Sequence, residues 1–147
     1  MRELRRSQVI PVERNRVFEF FADAGNLEEI TPSWLRFHVV SPMPIVMKPG
    51  VRIEYALRLH AVPIRWISEI TEWEPPFRFV DRQVRGPYRL WVHEHRFDAL
   101  PGGTVVSDHV RYSAPGGPLV HRFLVAPDLK KIFDYRASRI SVLLPAS

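Results

Sequence analysis

From residue 36 to residue 113 the chain alternates apolar and polar residues in one segment after another, and just one later stretch, Pro118 to Leu144, carries apolar residues at helical spacing. Alternation with a period of two means strands with one buried face, and a sheet built this way must cover that face with something. The final stretch is the one element long enough to do so. It places Val125, Leu129, Ile132, Arg136, Ile140 and Leu143 at intervals of three and four, with Pro127 either kinking the helix or beginning its main segment. The sheet is therefore expected to curl around this helix.

The strands are marked by their punctuation. Residues 2 to 10, RELRRSQVI, form a first strand ending at Pro11. VERNRVFEFFADAGNLEEITP then sets Val17, Phe20, Phe21 and Leu27 at helical spacing, with a break at Gly25-Asn26 and a stop at Thr31-Pro32, which predicts two short helices. Six strands follow: 36 to 41, 51 to 60, 62 to 73, 77 to 85, 88 to 98 and 103 to 113. The turns between them are rich in proline and glycine, from Pro42 through Gly50 and then at Pro63, Pro75-Pro76, Gly86-Pro87 and Pro101-Gly102-Gly103. No repeat, low-complexity tract or linker interrupts the order, so residues 1 to 147 are expected to form a single α+β domain.

Composition limits what this domain can do. A chain of 147 residues is large enough for one core that buries roughly 70% of its unfolded surface. It has no cysteine, which excludes disulfides, thiolate nucleophiles and cysteine metal sites. The net charge of +5 is scattered along the chain and not gathered in a stripe, so no nucleic-acid partner is expected. MRELRRSQVIPVERNR lacks the apolar run of a secretion signal, and no apolar run elsewhere reaches the ~18 residues needed to span a bilayer. A cytoplasmic location without stable membrane insertion is the expectation. Transient membrane contact is left to the apolar loop Met43 to Met47, which otherwise packs or forms a lid. Oligomeric state is left open. Glycine-rich phosphate loops and G-x-S-x-G turns are absent.

The chemistry concentrates in RLWVHEHRF, residues 89 to 97. As a strand it places Arg89, Trp91, His93, His95 and Phe97 on one face. Three readings compete. A metal would require a third ligand converging with the two histidines, and the sequence offers no glutamate a few residues on, so no metal or other cofactor is expected. Acid-base catalysis would use His93 or His95 as the proton-transfer group, with Asp108 from the next strand as its orienter. Asp108 is equally well explained as the partner of Arg136, whose charge interrupts the helix stripe. In the third reading, which the residues favour, the histidines line a cavity with Trp91. Tyr55, Trp66, Gln83, Asp108, Tyr112 and Arg136 are the further candidate ligand contacts. Asp81 shares a face with Phe77, Phe79 and Gln83 and suits either a ligand or a cross-strand pair with Arg89 or Arg111. A last alternative fills the interior with the chain's own rings, Trp66, Trp73 and Trp91 among them.

The order of segments, together with VFEFFADAGNLEEITP, RWISEITEWEPPFRFVDRQVRGPY, WVHEHRF, GGTVVSDHVRY and IFDYR, resembles the START-like, polyketide cyclase/dehydrase-like (SRPBCC) superfamily. The resemblance implies the helix-grip fold, a seven-stranded curved antiparallel sheet wrapped around a long C-terminal helix. It implies binding of a lipid-like, polyketide-like or other mainly apolar small molecule between sheet and helix. The alternative it carries is a cyclase or dehydratase acting on a polyketide-like substrate with a histidine acid-base group.

Overall fold

The structure is a computed structural model, and residues 1–146 are described. It has the expected helix-grip architecture. Strand β1 (Arg2–Ile10) leads into helices α1 (Arg14–Ala22) and α2 (Asn26–Ile30) and a 3-10 turn (Ser33–Leu35). Six strands follow: β2 (His38–Val39), β3 (Arg52–Leu59), β4 (Val62–Glu74), β5 (Arg78–Arg85), β6 (Leu90–Leu100) and β7 (Gly103–Ser113). The sheet is antiparallel in the order β1-β7-β6-β5-β4-β3-β2, so the first strand closes against the last and β6 lies near the centre.

From Gly117 to Leu143 the chain is continuously helical: α3 (Gly117–Val120), a π-helical turn (His121–Val125) and α4 (Ala126–Leu143). Pro127 falls in the first turn of α4, and the turn ahead of it opens to π spacing. A proline there has no hydrogen to donate to the preceding turn, so it starts the main segment. The helix is tied to the edge strand by Gln8, whose amide donates to the Ala137 carbonyl (2.8 Å) and to Ser141 Oγ (2.8 Å), and by an ion pair between Arg6 and Asp134.

Curvature comes from β4. Its pairing with β5 shifts between Ile67 and Ser68 and again between Ile70 and Glu72, and such irregularities bend and twist a strand. The concave face carries the alternating side chains read from sequence: Ile53 and Tyr55 on β3, Trp91, His93, His95 and Phe97 on β6, and Thr104, Val106, Val110 and Tyr112 on β7, all buried.

Four sequence expectations need correction. Arg89 precedes β6 and is exposed, so it leaves the face it was assigned to. On α1 the buried pair is Phe18 with Phe21, not Phe20 with Phe21, and on α4 Phe133 is buried where Ile132 is only half-buried. In both helices large residues one or two positions apart competed for the inner face, and tertiary packing chose between them. The strand at 36 to 41 shrinks to His38–Val39.

Candidate functional site

Between the sheet and α4 lies a cavity of about 200 Å³. Its walls come from β3 (Tyr55, Leu57), β4 (Trp66, Ser68), β6 (Trp91, His93) and α4 (Leu129, Phe133), and the α2 region covers it with Ile30 and Leu35. Polar heads gather on one side, where Asp81, His93, His95 and Arg136 all border the space. The interior is thus not filled by its own rings. Trp66 and Trp91 stand edge to face in the cavity wall, 5.4 Å between centroids, whereas Trp73 packs against Phe18 and Phe79 in the solid part of the core.

The polar cluster is held by strand register. His93 and His95 stack at 3.7 Å with their planes tilted by 23°, and His95 stacks in turn on Phe79 at 4.1 Å. Each histidine turns Nε2 toward a different neighbouring strand. His93 Nε2 lies 2.7 Å from Asp108 on β7, and His95 Nε2 lies 2.7 Å from Asp81 on β5. A carboxylate can only accept, so in both pairs the ring nitrogen donates. The two explanations weighed for Asp108 hold together: its Oδ1 meets His93 and, at 3.4 Å, the Arg136 guanidinium. Asp81 pairs with His95 and not with Arg89 or Arg111.

Burial sets the charges. It would raise Asp81 and Asp108, but hydrogen bonds from the imidazoles and the charge of Arg136 more than offset it and hold both carboxyls below their ordinary range. His95 moves the other way: burial, reinforced by the neighbouring His93, pushes it down to about 4 despite its bond to Asp81. At neutral pH His95 is therefore neutral, with its single proton on Nε2. Its Nδ1 and the Nε of Arg136 are buried without hydrogen-bond partners. Tyr55 is kept protonated by burial and by the negative charge of Asp81.

Asp81, His93 and His95 bring potential metal-binding atoms within 4.8 Å of one another. Asp81 is the third ligand that the sequence did not reveal. The rings are nevertheless badly posed for a shared ion. An imidazole binds a metal in its own plane at about 2.1 Å, and two planes 3.7 Å apart and tilted by 23° meet much farther away than that.

The remaining sequence candidates divide. Tyr55, Trp66, Trp91, His93, His95 and Arg136 border the cavity. Asp108 stands behind His93. Gln83 is occupied elsewhere, since its amide donates to the Tyr88 carbonyl (2.7 Å) and accepts from the Tyr88 N–H (3.1 Å), clamping the β5–β6 turn. Gly86 leaves room for this clamp, because a Cβ there would lie 2.5 Å from Gln83 Oε1 and push the amide aside. Tyr112 sends its hydroxyl to His121 Nε2 at 2.8 Å. In the loop from Met43 to Met47, Ile45 and Met47 pack inward while Met43 and Val46 are exposed. Sequence reasoning missed Tyr88 and Phe133 as residues of this site and left Asp81 open between a ligand contact and a cross-strand pair. For Asp81 there was a signal, a carboxylate on an aromatic strand face.

A hollow between a curled sheet and its long helix invites comparison with known proteins. The family model described as "Polyketide cyclase / dehydrase and lipid transport" matches residues 1–141. The chain belongs to this family. Its fold recurs in solved structures of low identity. Protein CV1439 from Chromobacterium violaceum is 13% identical with a TM-score of 0.77, over 97% of this chain and 96% of that one. Protein Ms6760 from Mycobacterium smegmatis is 18% identical with a TM-score of 0.73, over 97% and 90%. The major latex-like protein 151 of Panax ginseng is 12% identical with a TM-score of 0.72, over 97% of both chains. None of the curated proteins compared matches the sequence. Among the described residues no helix is long and apolar enough to cross a membrane.

Proposed function

We propose that the protein binds a small, mainly apolar molecule in the cavity between sheet and C-terminal helix. The observation that carries this reading is the cavity itself, walled by Trp66, Trp91, Leu129 and Phe133 with a polar cluster confined to one side. Size narrows the ligand. An apolar cavity of ~150 Å³ accommodates benzene, so one of about 200 Å³ suits a single ring with a short chain, or a chain alone, better than a sterol or a folded polyketide. Each methylene removed from water contributes about 0.8 kcal/mol, so a ligand of this size can reach micromolar affinity with few polar contacts.

Tryptophan emission tests this, because two of the four tryptophans border the cavity. Titration with butylbenzene is expected to change it saturably in the native protein. Leu129→Trp, which fills the space from the helix side, should abolish the change. A native protein indifferent to butylbenzene and similar compounds would refute the reading.

The second reading, a cyclase or dehydratase, is favoured by one specific arrangement. His93 donates Nε2–H to Asp108, whose carboxylate is anchored by Arg136, while the ring borders the cavity. In the neutral ring this leaves Nδ1 as a base, oriented as general acid-base groups commonly are. His93→Gln distinguishes the two: affinity kept with turnover of a polyketide-like substrate lost speaks for the enzyme.

A further inference from the structure

Resting on the binding reading, we propose that the cavity selects a neutral hydroxyl compound, such as an alkylphenol, and rejects the carboxylic acid built on the same frame. The charge of the polar side decides this. Arg136, the one fixed cation bordering the cavity, faces Asp108 at 3.4 Å. Asp81 has a single ion-pairing partner among the described residues, His95, and that imidazole is neutral at physiological pH. Asp81 therefore lacks a cationic ion-pair partner of its own and shares the more distant charge of Arg136 with Asp108, beside a largely apolar space where charge is less screened than in bulk water. A second carboxylate brought in by a ligand meets it directly.

Hydrogen-bonding capacity points the same way. Asp81 only accepts. Ser68 Oγ already receives the Trp66 indole N–H at 3.0 Å. Each imidazole has given its Nε2–H to an aspartate, and when neutral it offers only an acceptor. Against these acceptors stand few donors: Arg136 Nε, buried without a partner, and the hydroxyls of Tyr55 and Ser68. A hydroxyl both donates and accepts, so it answers both sides. A carboxylate only accepts, a hydrocarbon does neither, and an ammonium only donates while losing its hydration.

Isothermal titration near neutral pH with 4-ethylphenol, 4-ethyltoluene and 4-ethylbenzoate tests the proposal. 4-Ethylphenol should bind about tenfold more tightly than 4-ethyltoluene, and 4-ethylbenzoate about tenfold more weakly than the hydrocarbon, or undetectably. Asp81→Asn keeps the shape and an acceptor for His95 while removing the charge. It should narrow the gap between benzoate and hydrocarbon by about tenfold. Benzoate binding as tightly as phenol, hydrocarbon and phenol binding alike, or an unchanged gap in Asp81→Asn would each overturn the proposal and leave the apolar cavity standing. Binding of none of the three would remove the cavity reading and this inference together. Should Asp81→Asn fail to fold, the comparison of ligands on the native protein decides alone.

Discussion

The two ends of the space between sheet and helix are lined by similar residues and are filled in opposite ways. At one end Phe18 and Phe21 of α1 press onto the sheet, and Phe18 reaches Phe97 at 5.1 Å and Trp73 at 5.1 Å while Phe21 reaches Phe97 at 5.3 Å. Ile10, Val17 and Ile140 close this cluster to solvent. At the other end Trp66, Tyr88 and Trp91 lean on one another at 4.8 to 5.7 Å, yet they surround empty volume. The difference lies in the cover. A two-turn helix drives two aromatic rings into the first end, while the second has only the short α2, a 3-10 turn and loops above it. The border is a stack of Phe79, His95 and His93, with Arg136 over the ring of Phe21. Polar residues thus sit where solid packing gives way to a hollow, and the hollow is a property of what covers the sheet, not of its composition.

Truncation at the solid end should produce the largest effect. Phe97 is 1% exposed and touches three aromatic rings, so Phe97→Ala should lower stability by about 3–5 kcal/mol in urea denaturation. Leu129→Ala beside the hollow should cost about 2 kcal/mol, the low end for a buried leucine, because space already adjoins it. Equal losses would erase the contrast between the two ends.

The border should respond to acid. His95 has an ordinary value of 6.5 that falls to about 4 in the fold. Between these values the unfolded chain takes up a proton that the native state refuses. Stability contributed by this group is complete above pH 6.5 and is lost as pH falls toward 4, up to about 3 kcal/mol at 1.36 kcal/mol per unit. Asp81 and Asp108 are also lowered, so what they contribute is lost only at still lower pH. Urea midpoints measured across this range should show the first decline in the native protein and a smaller one in His95→Gln. A flat profile would mean that His95 is not held neutral.

The sequence made the sheet and the long helix legible because alternation and helical spacing are local signals. β6 is the clearest case, with Trp91, His93, His95 and Phe97 all buried as their period of two requires. Which carboxylate serves which histidine was not legible. His95 stands opposite Asp108 in the β6–β7 ladder, and His93 opposite Asp81 in the β5–β6 ladder, yet both imidazoles bond the diagonal aspartate. Side-chain lean and ring stacking decide that, and neither is written in spacing. Gln83 misled for a related reason: a polar residue on an aromatic face satisfied a turn backbone that only the folded chain brings near.

Smaller effects sharpen the contrast. Leu129→Phe should fill part of the hollow with less than ~1.5 kcal/mol of change in stability, while weakening butylbenzene binding in the emission titration. Comparable filling at the solid end, such as Val17→Phe at a residue with no exposed surface, should destabilise by about 1–3 kcal/mol because overpacking has no room to relax.

Crystals of the protein soaked in butylbenzene test the central claim most directly. Difference density between Trp91 and Leu129, with none near Phe97, is the expected result. An interior closed at both ends, or butylbenzene bound only at the surface, would contradict the account.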